Sequence, residues 1–184
     1  IDYWGKTLLK GQWLGQLSLF GAYRVGDLDG VIILRVVLLV LCIFTLIYRN
    51  GGQSNSRIAA LLLLFLAAMT LRGYTADRPQ LFSFAYFGLM LIPLERFYSG
   101  AHQRALYPLP LLFLLWANTH GGVILGAVFL GAFAFLYLIE QHFVQRRCVW
   151  RTETRQLLTV VGLCGLATVA TPNGLTSYEY LIKL

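Results

Sequence analysis

Six stretches of the chain, residues 31–48, 58–71, 80–94, 105–117, 122–139 and 157–171, contain between them a single charged residue, Arg35. Surface of that kind is unfavourable in water and already solvated in lipid. Over all 184 residues the charged fraction is 12% and the hydrophobic fraction 58%, well below the roughly 25% charge of soluble domains. The pattern predicts an all-α fold, a polytopic transmembrane helical bundle of about six spans. A span needs about 20 residues to cross about 30 Å of hydrocarbon, so only 31–48 and 122–139 approach full length unaided. The shorter runs must borrow aromatic flanks, sit in thinned bilayer or pack inside the bundle, and 105–117 is the shortest of them.

Ahead of the first run, Trp13, Leu14, Leu17 and Phe20 recur at helical spacing with Gln12, Gln16 and Ser18 between them. That spacing predicts an amphipathic helix along the outer interface. A short seventh span is the alternative, and Arg24, Asp27 and Asp29 crowding its end argue against it. No repeat and no Pro- or Ser-rich linker divides residues 1–184, which read as one transmembrane domain. The chain begins at Ile1 without the basic and apolar regions of a signal peptide, and is expected to be an excerpt of a longer protein.

The net charge of +7 does not gather into a basic stripe, so no nucleic-acid partner is expected. The basic residues instead orient the spans. Connections 49–57 and 95–104 hold Arg49, Arg57, Arg96 and Arg104, and 140–156 holds Arg146, Arg147, Arg151 and Arg155. The alternate connections 72–79, 118–121 and 172–184 hold only Arg72, Arg78 and Lys183. Three cytoplasmic loops and an external N-terminus follow, despite Lys6, Lys10 and Arg24 on the outer side. Residues 105–145 then form a hairpin whose tip, Asn118 to Gly122, points outward.

Three polar motifs share that outer face: "TADRPQ" at 75–80, "NTHGG" at 118–122 and "TPNG" at 171–174. Arg78, directly before Pro79 at the entry to a helix, either holds a phosphate bidentately or snorkels to lipid headgroups. His120 is a base, acid, phosphate donor or metal ligand by chemistry, with Asn118 able to orient it; equally, the pair can satisfy loose backbone groups of the Gly121–Gly122 turn. No haem attachment motif accompanies His120, and His102 and His142 lie in the opposite connections, so neither a cofactor nor a metal is expected. Ser99 falls on the cytoplasmic side, which rejects its pairing with His120 in an intramembrane protease. Asp2, beside Tyr3 and Trp4, is either a frayed terminus or an interfacial acid beside a sugar-stacking pair. Cys42, Cys148 and Cys164 show no framework spacing.

"WLGQL" at 13–17, "RPQLFSF" at 78–84, Glu95 with Arg96, "LPLLFLLWANTHGG" at 109–122 and "TPNG" at 171–174, in that order, resemble the N-terminal part of bacterial GT-C-type membrane glycosyltransferases. The resemblance implies a polytopic enzyme of the cytoplasmic (inner) membrane that takes a sugar from a polyprenyl-phosphate carrier at the outer face. It implies Asp2 as the general base, Arg78 and His120 holding the lipid phosphate, and Asn118 and Asn173 shaping the pocket. Membrane lipids and the polyprenyl-phosphate-linked sugar are the implied partners. The chain departs from the pattern where a histidine is expected shortly after the Asp-aromatic pair and an acid just before "WLGQ": Gly5 and Gln12 stand there. Either residues are missing near Trp4, or the chain is a degenerate relative, a non-catalytic accessory or structural subunit of a larger membrane complex.

Overall fold

The computed structural model describes residues 12–49, 80–100, 103–144, 152–172 and 174. Among these the chain is a bundle of helices without strands: α1 (Trp13–Arg49), α2 (Gln80–Tyr98), a 3-10 turn (Gln103–Leu106), α3 (Leu109–Thr119), α4 (Val123–Ile139) extended by a π-helical turn (Glu140–Val144), and α5 (Thr152–Val169). Five of the six apolar runs fall on these helices, and residues 58–71 lie outside the described residues. Among the described residues one helix, Val123–Phe143, is long and apolar enough to cross a membrane. Its 21 residues rise about 31 Å, the thickness of the hydrocarbon layer.

The amphipathic stretch and the first apolar run form two arms of one element. The backbone of α1 leaves helical geometry at Gly26 (φ −146°, ψ 26°) and Asp27 (φ 48°, ψ −136°). Asp27 is the one described non-glycine residue at positive φ, a region an L side chain enters at a cost of about 1–3 kcal/mol. The bend is sharp enough that a Cβ on Gly30 would overlap the Ala22 carbonyl. Both arms consequently reach α2: Leu19 from the first and Leu34 and Leu38 from the second pack with Leu81, Phe82 and Ala85.

The shortest run forms the innermost of the described helices. The 11 residues of α3 rise only about 16 Å, and they contact α1, α2, α4 and α5. Leu109, Phe113, Trp116 and Ala117 join Met90, Leu94 and Phe97 of α2, Leu130 and Ala134 of α4, and Leu157, Val160 and Cys164 of α5 in one core. Pro108 and Pro110 suit its start, where an N–H has no helical partner.

Polarity is distributed inside out. Val25, Leu28 and Val36 of α1 and Leu125, Val128, Phe135 and Leu136 of α4 are exposed, whereas Thr45, Asn118, Thr119, Thr154 and Thr168 are buried. Three of the threonines close their hydroxyls on their own helix: Thr45 donates to the Cys42 carbonyl (2.8 Å), Thr119 to Leu115 (2.6 Å) and Thr168 to Gly165 (2.7 Å). Such back-bonding lets a hydroxyl sit among apolar side chains without a stranded donor. At the far end, the Tyr98 hydroxyl donates to Glu140 (3.1 Å) and ties α2 to the π-helical turn.

Candidate functional site

The start of α2, the end of α3, the start of α4 and the end of α5 meet at one end of the bundle, and the first arm of α1 lies against them. Their junction is built on the Asn118–Gly122 turn. His120 stops α3 by adopting extended geometry (φ −157°, ψ 142°) while its N–H still bonds the Trp116 carbonyl. Gly122 then opens α4 with no side-chain cap. A glycine is required at 122 by space rather than by dihedral angle: a Cβ there would sit 2.5 Å from the Ser83 Oγ and 2.9 Å from the His120 Nδ1.

Around His120 the hydrogen bonds leave one protonation pattern. The Gly122 N–H donates to Nδ1 at 3.0 Å, and the Ser83 hydroxyl lies 2.6 Å from the same atom. A backbone N–H can only donate, so Nδ1 is an acceptor and carries no proton. Ser83 therefore donates as well, and its oxygen accepts the Trp116 indole N–H at 2.9 Å. The ring proton resides on Nε2, which bonds no described residue. Burial pushes the histidine below its ordinary basicity, because a charged imidazolium loses hydration there. At neutral pH His120 is a neutral ring with one N–H donor, on Nε2, across the ring from Ser83 and Gly122.

Asn118 fastens three helices. Its Oδ1 accepts the Trp13 indole N–H from α1 at 2.8 Å, and its amide donates to the Leu114 carbonyl at 2.9 Å and, beyond the end of α5, to the Ala170 carbonyl at 3.1 Å. Because an indole N–H only donates, the amide orientation is fixed. Both amide hydrogens are thus committed to the fold, so Asn118 shapes the site by holding its walls. The next residue along α5's exit, Thr171, has a buried hydroxyl oxygen with no partner among the described residues. Trp116, 1% exposed, is caged by Tyr86 (centroids 5.9 Å apart, stacked), Phe113 (5.9 Å) and the edge of Phe87 (6.4 Å). The Tyr86 hydroxyl donates to Thr119 at 3.4 Å, since the Thr119 proton is already given to Leu115.

Of the residues singled out in the sequence, Asn118 and His120 stand in this junction, and Asp2, Arg78 and Asn173 lie outside the described residues. Ser99 donates to the Arg96 carbonyl at the opposite end of α2, far from His120. Ser83, Trp13 and Trp116 join the site through bonds whose partners no sequence pattern marks, although all three belong to the quoted motifs. The signal was present for Ser83, the one serine in the run 80–94, because a hydroxyl among apolar neighbours needs a partner. Among the described residues no three His, Cys, Asp or Glu side chains gather as metal ligands. No family model, curated protein or solved structure matches this chain.

Proposed function

We propose that this chain is the membrane-embedded part of a GT-C-type glycosyltransferase of a bacterial inner membrane, a bundle of about six spans that takes a sugar from a polyprenyl-phosphate carrier at the outer face. The observation that carries this reading is His120, a neutral imidazole held with one N–H directed away from its protein partners. It stands where α2 and α4 both begin, and the positive ends of helices favour an anionic oxygen. The exposed apolar faces of α1 and α4 suit contact with lipid, from which a polyprenyl chain enters.

In the proposed reaction an acceptor hydroxyl attacks the anomeric carbon, the bond from that carbon to the phosphate oxygen breaks, and the phosphate leaves with the electron pair. Asp2 takes the hydroxyl proton. Arg78 and the His120 Nε2–H meet the charge that develops on the leaving phosphate, while Asn118 and Asn173 shape the pocket. Removing one such donor lowers turnover by about 10²-fold or more.

The departures at Gly5 and Gln12 favour a second reading, a non-catalytic accessory subunit of a larger membrane complex. One assay separates the two. The protein reconstituted in bilayers is given a radiolabelled polyprenyl-phosphate hexose, and release of polyprenyl phosphate is followed for wild type, Asp2→Asn and His120→Ala. Turnover in wild type that both variants lose supports the transferase. No turnover in wild type, with the protein isolated in a stable complex, supports the subunit.

A further inference from the structure

We propose that Ser83 is a positioning residue for His120: with the Gly122 N–H it holds the imidazole in the neutral Nε2–H tautomer, so that the histidine meets an anionic oxygen only as a donor and takes no proton. The inference rests on the glycosyl-transfer reading for the identity of that oxygen, and on the hydrogen-bond geometry alone for the tautomer. Two donors converge on Nδ1, from Ser83 at 2.6 Å and Gly122 at 3.0 Å. Protonating Nδ1 would set a third hydrogen against both. Ser83 is itself aimed by the Trp116 N–H at 2.9 Å, so its hydroxyl proton has one favourable direction, toward the ring. The relay Trp116–Ser83–His120 runs one way.

A serine this close to a histidine also has the outline of a nucleophile with its base. The geometry favours positioning. The Ser83 oxygen already accepts from an indole N–H, which lowers its electron density, and the Gly122 N–H occupies the nitrogen that would have to receive the serine proton. Among the described residues no charged partner raises the ring's affinity for a proton, and burial lowers it.

The test is nitrogen-15 NMR of the full chain, labelled at histidine and reconstituted in lipid, with His120 assigned by loss of its signals in His120→Gln. The expected spectrum at neutral pH shows one tautomer, with Nδ1 unprotonated and Nε2 protonated. Ser83→Ala leaves the Gly122 N–H as the one described donor on Nδ1 and should weaken the preference for the Nε2–H tautomer and displace the titration to higher pH, and Ser83→Thr, which keeps the hydroxyl, should restore the wild-type pattern. A wild-type spectrum with the proton on Nδ1 would overturn the assignment, whether or not the Ser83 variants fold. Covalent labelling of Ser83 by a fluorophosphonate would overturn it in favour of a nucleophile. Ligand arms then address the reading beneath it: polyprenyl phosphate, phosphatidylglycerol and inorganic phosphate are added separately, and a shift of the Nε2 signal reports the phosphate oxygen. A shift with polyprenyl phosphate alone supports both statements. A locked tautomer that responds to none of the three supports the role of Ser83 and counts against glycosyl transfer.

Discussion

Replacing Gly126 with alanine tests whether the indole of Trp116 is held as rigidly as its surroundings require. A Cβ on Gly126 would lie 2.5 Å and 2.8 Å from two ring carbons of Trp116 and 3.3 Å from a third. Normal carbon contacts begin near 3.5 Å, so either the ring or α4 must move by about 1 Å. The ring has little room, since Tyr86, Phe87 and Phe113 surround it and its N–H is bonded to Ser83. Overpacking of this kind costs about 1–3 kcal/mol, and displacing the indole N–H adds about 1 kcal/mol. Alanine's better helix propensity returns at most about 1 kcal/mol. The net destabilisation is about 1–3 kcal/mol, or a fall in Tm of about 3–10 °C for a chain of this size. Gly131, in the same helix, is the internal control, because a Cβ there meets nothing within 4 Å. Thermal unfolding in nanodiscs, followed by tryptophan fluorescence, should therefore show Gly126→Ala well below wild type and Gly131→Ala at or slightly above it. Equal midpoints for the two variants would refute the argument that Gly126 exists to admit Trp116.

His120 gives a pH dependence whose sign is fixed. Its basicity in the folded chain is lowered by burial, so below about pH 6.5 the unfolded chain binds the proton more readily. The contribution is full above that pH and is lost as pH falls toward the folded value; Tm measured from pH 8 to 4 should drop less steeply in His120→Gln than in wild type. Trp13→Phe removes the donor to the Asn118 amide and strands a buried acceptor, costing about 1–3 kcal/mol; a variant whose chemical denaturation midpoint is unchanged would show that the first arm of α1 is not fastened there. Asp27→Gly relieves the positive φ and should raise Tm by the equivalent of about 0.5–1 kcal/mol, whereas Asp27→Val at the same position should lower it.

The helices were legible because apolar runs bounded by charge leave few other folds, and α4 matches its run of 122–139 closely. The break in α1 was half legible. Gly26, Asp27 and Gly30 mark an interruption, but local sequence does not say that the two arms turn onto the same stretch of α2. The depth of α3 was hidden: a run too short to span reads as marginal, when burial of Leu109, Phe113, Trp116 and Ala117 against three other helices is what makes so short a helix stable, although Leu111 and Leu115 stay exposed. The described ends of the polar motifs do lie together, although which side of a membrane they face is an expectation from charge alone. The Asn118 bond to Ala170 joins the turn at 118–122 to the segment leading into 171–174, and Ser83 brings in the helix that follows 75–80. The pairings themselves were not legible, because a bond across 52 or 105 residues leaves no local periodicity to read.

The Asn118 knot also sets an order of biosynthesis. When the ribosome has made Asn118, Trp13 has been available for 105 residues, but Ala170 is still 52 residues away. At about 5–20 residues per second that interval lasts roughly 3–10 s. For that time the hairpin of α3 and α4 holds an amide hydrogen whose final acceptor does not exist, and only water, the insertion machinery or a neighbouring chain can satisfy it. Among the described helices α5 is thus the one that closes the junction, and a chain cut short before residue 152 would leave the Asn118 amide without its Ala170 acceptor while α1, α2, α3 and α4 are already made.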